Sequence, residues 1–264
     1  AALDNDAKHI IISLGGIGSF DGGTGMLQAL GAKFYDDEAN IVDVSDGAYK
    51  IKYIRRIDLS GVHPQLTKVN IQLMSDFSSR LYGKKSEIMQ TYESLDLSQN
   101  EAAEIDNLIW YFSELFKNEL KIAMGPIERG GAGGGIAAVL NSLYQAEILT
   151  SHELVNQITH LENLIQQADL IIFGEGLKEE DQILETTTIR IAELTQQYNK
   201  PAIAICATND KFDLFESLNV TAMFNTFIDM PDSYTDFKMG IQIRHYTVQA
   251  LKLLKTQINL PLSS

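Results

Sequence analysis

Three carboxylates follow short apolar runs of the chain, and they are the side chains best placed to do chemistry. They are Asp21, Asp76 and Glu175, the last flanked by Gly174 and Gly176. A carboxylate at such a position can bind a metal ion, orient a ligand hydroxyl or accept its proton. We therefore predict all three as catalytic residues, and Asp21 and Glu175 also as metal ligands. For Asp76 or Glu175 taken alone, a solvated turn is an equally good explanation.

The stretch 15–31 contains seven glycines and lies between an apolar run and a helical pattern. Glycine lets the backbone approach a ligand closely, and free N–H groups at a helix N-terminus attract phosphate or carboxylate. The residues predicted to bind an anion here are Gly15, Gly16, Ser19, Gly22 and Gly23. The alternative is a tight strand-to-helix connection in which the glycines serve packing alone.

A second glycine-rich stretch, 125–135, contains six glycines and leads into another helical pattern. Its Arg129 carries a planar cation suited to a carboxylate or phosphate. We predict Arg129, Gly131, Gly133 and Gly134 as further anion-binding residues, with Arg80 as a nearby cation. A flexible linker is the alternative interpretation.

The elements that must position these residues alternate between strands and helices. Strands are predicted at 10–14, 50–57, 69–74, 170–173, 202–206 and 221–224. Helices are predicted to begin near 24 and 136 and to cover 100–120, 152–166, 179–198 and 236–256. Capping boxes at 98–101 and 150–153 mark two of the helix starts. The run 50–57 alternates polar and apolar residues, which suits an edge strand.

This alternation predicts an α/β fold, with a mainly parallel sheet or sheets, helices on both faces and glycine-rich loops at the carboxyl ends of strands. We treat 1–264 as one α/β region that two subdomains could form. The chain does not begin with methionine, so we expect a processed or excerpted piece of a longer protein.

Composition excludes several classes of protein. The net charge of −14 opposes nucleic acid or an anionic membrane as a partner. The single cysteine, Cys206, excludes a disulfide framework and is expected to be a buried, inert thiol. No apolar run approaches the length of a membrane span, and no signal sequence opens the chain, so we expect a cytoplasmic protein.

Common catalytic motifs are also missing. The five histidines show no metal-ligand spacing, and no serine stands in Gly-x-Ser-x-Gly. A P-loop would need Gly-Lys-Ser/Thr, and a dinucleotide fingerprint would need a third glycine where Asp21 stands.

The order of these motifs resembles the bacterial glycerate kinase family, whose members phosphorylate D-glycerate with ATP. The resemblance covers almost the whole chain. The matching positions are Gly15, Gly16, Asp21, Gly22, Gly23, 25–31, Asp76, Leu81, Gly83, 130–135 and 174–176.

The chain departs from the family pattern mainly by losing positive charge. Ser79 and Arg80 stand where the family has asparagine and proline, and 91–96 lacks the family's Phe-Gly-Pro-Gln-Lys-Gly. Leu177 replaces an arginine, and Glu185-Thr186 replaces Gly-Lys. The family's N-terminal α/β segment has no counterpart here.

The resemblance implies ATP and Mg²⁺ as cofactors and D-glycerate as the small-molecule substrate. The glycine backbones would hold phosphate or the glycerate carboxylate, with Asp21 near the metal or the reacting hydroxyl. Asp76 would act as general base, and Glu175 would contact metal or substrate. A homo-oligomer, or association with the missing N-terminal segment, is a further expectation.

Two other functions stay open at this point. The lost cations could leave a ligand-binding or partner-binding protein without turnover, because a single transition-state cation can contribute on the order of 10³-fold to phosphoryl transfer. The α/β pattern with glycine turns also allows a dinucleotide-dependent oxidoreductase, although the broken fingerprint at Asp21 argues against it.

Overall fold

The structure is a computed structural model that describes residues 1–16, 18–76, 78–175, 187–206, 212–225 and 236–257. It divides into two compact units, Ala1–Ser151 and His152–Ser264, which are described separately. The strands are β1 (His9–Ser13), β2 (Lys33–Tyr35), β3 (Arg56–Asp58), β4 (Asn70–Met74), β5 (Glu147–Leu149), β6 (Ile171–Glu175), β7 (Ala202–Cys206) and β8 (Ala222–Asn225). The α-helices are α1 (Thr24–Ala29), α2 (Glu87–Thr91), α3 (Gln99–Leu120), α4 (Ile136–Tyr144), α5 (Ser151–Thr159), α6 (Leu161–Gln167), α7 (Thr187–Gln197), α8 (Phe212–Ser217) and α9 (Asp236–Gln257).

The first unit is built on a parallel sheet with the strand order β1-β4-β5. Ser13 is in register with Met74, and Met74 with Leu149. The carboxyl ends of all three strands therefore meet at one edge, where the loops after β1 and β4 leave the sheet. The strands predicted at 10–14 and 69–74 are confirmed within one residue at each end.

The prediction of a strand at 50–57 is wrong. Ala48–Tyr53 forms a 3₁₀ helix, and only the short β3 follows it, paired antiparallel with β2. Ile51 and Ile54 are both fully buried, and a separation of three residues places side chains on the same face of a 3₁₀ helix. Lys50 and Lys52, on either side of Ile51, produced the apparent alternation.

The long helix α3 supplies much of the first unit's core. Its capping box is confirmed: the Ser98 hydroxyl accepts the Glu101 N–H, and the Glu101 carboxylate accepts the Ser98 N–H at 2.8 Å. Phe112 packs edge-on against Phe34 and Phe116, with ring centroids 6.1 and 5.9 Å apart. All three rings are fully buried.

The second unit has its own parallel sheet, in the order β6-β7-β8. All five residues of β7 are buried, and the predicted burial of Cys206 is thereby confirmed. Phe173 packs against Phe215 at 5.4 Å to complete a separate core. The parallel sheets flanked by helices confirm the predicted α/β class.

The helices of the second unit differ from the prediction in two places, one of which is α8, a short helix that is not among the predicted ones. The segment 152–166 holds two helices, α5 and α6, because His160 between them adopts a left-handed φ of 53°. Helix α9 is confirmed within one residue. The first part of the helix predicted at 179–198 lies outside the described residues. None of the helices in the described ranges has the length and apolar character needed to span a bilayer.

Candidate functional site

The first glycine loop (residues 14–23) begins as exposed main chain at the carboxyl end of β1. Leu14 N–H still donates to the Met74 carbonyl at 2.9 Å, so the sheet extends to this point. Beyond it, a Cβ atom placed on Gly15 or Gly16 would meet nothing within 4 Å. The N–H groups of these two glycines make no hydrogen bond to another described residue. They are therefore accessible donors at the edge where an α/β sheet binds its ligands.

Asp21 lies in the second half of this loop, where it holds the start of α1. Its carboxylate accepts the N–H of Gly23 at 3.0 Å and of Gly25 at 2.7 Å, and it also accepts the Thr24 hydroxyl at 3.3 Å. The residue is only 7% exposed. Asp21 therefore acts on the backbone of its own loop, and its expected role near a metal or hydroxyl stays a prediction.

Gly22 and Gly23 do not offer the free N–H donors that were expected. Gly22 donates to the Gly134 carbonyl at 2.8 Å, and Gly23 donates to Asp21. Both have positive φ, at 65° and 81°. A Cβ on Gly23 would lie 2.9 Å from Val139 Cγ2. These two glycines serve the packing of the loop, because the internal hydrogen bonds already use their donors.

The second glycine loop (residues 129–135) is buried and packs directly on the first. Gly134 has a φ of 62°, and a Cβ there would overlap the Ser19 carbonyl oxygen. A Cβ on Gly135 would lie 2.6 Å from Gly22 Cα. The two loops thus touch backbone to backbone, which only glycine permits at these positions. Ser19 enters the site through its main chain in this way.

Asp76 follows β4, next to the carboxyl end of β1. One oxygen, Oδ1, accepts the N–H of Ser151 at 2.7 Å. The adjacent Ser75 N–H donates to the Leu149 carbonyl at 2.8 Å. Contacts with Leu149, the last residue of β5, and with Ser151 thus hold this segment, and no hydrogen bond to the second oxygen of Asp76 is found among the described residues.

Both predicted arginines lie against these loops. The Arg80 guanidinium donates to the Pro126 carbonyl at 3.2 Å, and that of Arg129 donates to the Ser75 carbonyl at 3.4 Å. Between them, Gly131 donates its N–H to the Ser79 carbonyl at 3.2 Å, so it too lacks the free donor that was expected. Arg129 therefore borders the same edge as Asp76, next to Ser75.

Two further acids belong to this region, and the sequence analysis missed both. Asp106 of α3 accepts the Gly83 N–H at 2.8 Å and the Ser86 hydroxyl at 2.5 Å, which fixes the turn before α2. Glu87, the first residue of α2, reaches the second glycine loop, where its Oε2 lies 3.5 Å from Gly134 N. Burial raises the pKa of Glu87, while N–H groups of Gly134 and Gly133 oppose the rise.

Glu175 belongs to the second unit and ends β6, in register with Cys206 of β7. It thus stands at the carboxyl end of a parallel strand, as the sequence indicated. The residues predicted just after it, from Gly176 to Thr186, lie outside the described part of the chain. The roles of Glu175 in metal or substrate binding stay predictions.

No group of three or more histidine, cysteine or acidic side chains suited to a metal is found among the described residues. Mg²⁺ bound to nucleotide phosphates usually keeps several waters and needs only one or two protein carboxylates. A single carboxylate such as Asp21 therefore fits this kind of binding.

Comparison with known proteins gives one consistent result. The model of the glycerate kinase family matches residues 1–243. A glycerate kinase of Halalkalibacterium halodurans is 31% identical over 207 residues, which are 78% of this chain and 54% of the relative. Glycerate 2-kinase of Escherichia coli K12 is 30% identical over 225 residues, which cover 85% and 58%. The chain thus spans a little over half the length of these relatives.

A solved structure shows the same similarity in three dimensions. It is a crystal structure assigned as glycerate kinase 2 from Salmonella typhimurium LT2, with a TM-score of 0.78 and 27% identity. The match covers 98% of this chain and 67% of that one.

Proposed function

Since the chain belongs to the glycerate kinase family, we propose that it transfers the γ-phosphoryl group of ATP to a hydroxyl of D-glycerate, which yields phosphoglycerate and ADP. The observation that supports the proposal is the position of the exposed Gly15 and Gly16 N–H donors, Asp76 and Arg129 beside the carboxyl ends of the neighbouring parallel strands β1 and β4. This edge would supply an anion site, a base and a cation within a single unit.

In the proposed reaction the glycerate hydroxyl oxygen attacks the γ-phosphorus, and the bond from that phosphorus to the β–γ bridging oxygen breaks. ADP leaves with the electron pair of that bond. The proton of the hydroxyl passes to Asp76, whose Oδ2 is not engaged by Ser151. Such a base contributes about 10²–10⁴-fold to the rate.

The main-chain donors hold an oxyanion in this scheme. Gly15 and Gly16 present N–H groups that bind a phosphate or carboxylate oxygen without a side chain. Arg80 and Arg129 reduce the negative charge that spreads over the phosphoryl oxygens. Because its guanidinium group already donates to the Ser75 carbonyl, Arg129 is held near the site before ligand arrives.

Mg²⁺ would neutralise the phosphates of bound ATP, and we propose Asp21 as its protein ligand in the first unit. The role of Glu175 in metal or substrate binding is a separate prediction for the second unit. Asp21 would reach the metal ion through the one lone-pair site, on Oδ1, that its three internal donors leave unused. The second role of Asp21 in this scheme is to hold Gly23 and Gly25 in place, which fixes the start of α1.

The test is release of ADP by the purified chain with D-glycerate, ATP and Mg²⁺. Asp76→Asn should lower kcat at least about 10²-fold, because the amide loses the basic oxygen. Its Oδ1 can still accept the Ser151 N–H, so stability should change little. Glu119→Gln is the matched control, since Glu119 is exposed near the C-terminal end of α3.

Two results would contradict the proposal. One is an Asp76→Asn protein as active as the parent. The other is a parent protein that binds D-glycerate and ATP but releases no ADP, which would instead support a binding protein without turnover.

A further inference from the structure

The second glycine loop contains a pair of N–H groups that the main chain does not use. Gly133 and Gly134 both adopt left-handed conformations, with φ of 62°. Their neighbours Gly131 and Gly135 donate to the carbonyls of Ser79 and Gly131. Successive N–H groups in such a turn form a concave site for an anion. The pair therefore needs an acceptor from elsewhere in the molecule or from a ligand.

In this structure the acceptor is the carboxylate of Glu87. Its Oε2 lies 3.5 Å from Gly134 N. That distance is well above the 2.7–2.9 Å that is usual for a charge-assisted hydrogen bond. No basic side chain among the described residues forms an ion pair with Glu87. A half-buried carboxylate held at this distance by main-chain N–H groups can be displaced by a better acceptor.

Other charged groups nearby do not replace the glycine N–H groups as partners of Glu87. Lys84 and Lys85 lie in the turn before α2 and are exposed. Asp106 of α3 faces the same turn but binds Gly83 and Ser86. The direct contact found for Glu87 is the one with the second glycine loop.

We propose that Glu87 is an internal competitor for an oxyanion subsite formed by the N–H groups of Gly133 and Gly134. When ligand binds, one of its carboxylate or phosphate oxygens takes these two donors and the Glu87 side chain moves away. The inference rests on the proposed function for the identity of the ligand, since both D-glycerate and ATP carry such oxygens. The subsite itself rests on the loop geometry and on the Glu87 contact.

The experiment measures binding of three probes separately by calorimetry: inorganic phosphate, D-glycerate, and ATP with Mg²⁺. The variants are Glu87→Gln, which keeps the shape of the side chain, and Glu87→Ala, which empties the subsite. Glu119→Gln is again the control. Removing a competitor that occupies most of the molecules should strengthen binding of at least one probe by about 3- to 10-fold in both Glu87 variants. The control should bind as the parent does.

The outcome also identifies the ligand group. A gain for D-glycerate without a gain for ATP assigns the subsite to the substrate carboxylate, and the reverse assigns it to a nucleotide phosphate. A gain for phosphate in a protein without kinase turnover keeps the subsite and removes the proposed function. Turnover by the parent with no gain for any probe in Glu87→Gln overturns the subsite alone, whereas a complete absence of binding overturns both the subsite and the proposed function.

If Glu87→Ala does not fold, the contact between Glu87 and the second glycine loop can be tested directly on the parent protein. The amide proton shifts of Gly133 and Gly134 should follow the titration of Glu87 between pH 4 and 8, and they should be flat in Glu87→Gln. If these amide proton shifts do not change with pH in the parent, both the contact and the proposal are wrong.

Discussion

At the scale of single residues, the site separates glycines that are open to a ligand from glycines that hold the loops together. A Cβ atom at Gly15 or Gly16 would meet open space, whereas a Cβ atom at Gly23 or Gly134 would lie too close to a neighbouring residue. The sequence shows the same residue type at all four positions. Only the neighbours, which come from distant parts of the chain, distinguish the two groups.

The first prediction concerns Asp21. Asp21→Asn places an amide group where the carboxylate now accepts two N–H groups and a hydroxyl, so one N–H faces another donor. We expect the free energy of unfolding to fall by about 1–3 kcal/mol, measured by urea denaturation. Asp37→Asn, at an exposed position, should leave it unchanged. Equal stability of the two variants would show that Asp21 does not hold the loop.

The second prediction concerns the pH dependence of stability. Because burial raises the pKa of Glu87 above 4.5, the folded protein binds this proton more tightly than the unfolded chain. The stabilisation is present below the unfolded value and is lost as pH rises through the folded pKa. Glu87→Gln should therefore have a higher Tm than the parent at pH 7.5, and the difference should shrink towards pH 4. If the difference in Tm between Glu87→Gln and the parent is the same at every pH from 4 to 7.5, Glu87 is not a buried, charged group.

At the scale of elements, the two glycine loops form one packed unit between β1 and α4. The Gly22 N–H bonds to the Gly134 carbonyl, and the Ser19 carbonyl lies where a Cβ of Gly134 would stand. A change in one loop must therefore move the other.

The third prediction tests this coupling. Gly134→Ala combines a left-handed φ with overlap against Ser19, and we expect a loss of about 2–5 kcal/mol of stability. Gly18→Ala is the matched control, because a Cβ there meets nothing within 4 Å and its φ is not positive. Thermal unfolding of both variants gives the comparison. Similar Tm values would mean that the loops do not depend on each other.

Long regular elements could be predicted from the sequence, and short ones could not. The periodicity of 100–120 and its capping box identified α3 almost to the residue. The three-residue strands β2 and β5 carry too few residues for a pattern. The 3₁₀ helix Ala48–Tyr53 was predicted as part of a strand because its polar and apolar residues alternate.

The site was predictable only where its residues lie close together in the sequence. The glycine stretches and Asp76 could be found because they follow apolar runs. Glu87 could not be found, since its partner Gly134 is 47 residues away. Asp106 is also distant in sequence from Gly83, and no local motif marks either acid. The acceptors that the Gly22 and Gly23 N–H groups bind likewise depend on packing, which the sequence alone does not show.

At the scale of the whole molecule, each unit has its own apolar core. The first contains Phe34, Phe112 and Phe116, and the second contains Phe173 and Phe215. Units with separate cores commonly unfold as separate cooperative blocks.

The fourth prediction follows from these cores. Phe215→Ala removes a fully buried ring and should cost the second unit about 3–5 kcal/mol. The single tryptophan, Trp110, lies on α3 of the first unit. In urea, its fluorescence should report an almost unchanged midpoint while circular dichroism shows an additional early transition. Coincident early transitions by both probes would mean that the units unfold together.

The accessible donors at Gly15 and Gly16 are peptide groups, which have dipoles but carry no formal charge. They attract an anion only at short range, while the whole chain, with a net charge of −14, repels it at long range. Electrolyte screens the long-range repulsion far more than the short-range attraction. The association rate of an anionic metabolite should therefore rise with ionic strength, opposite to the trend at a lysine-lined phosphate pocket.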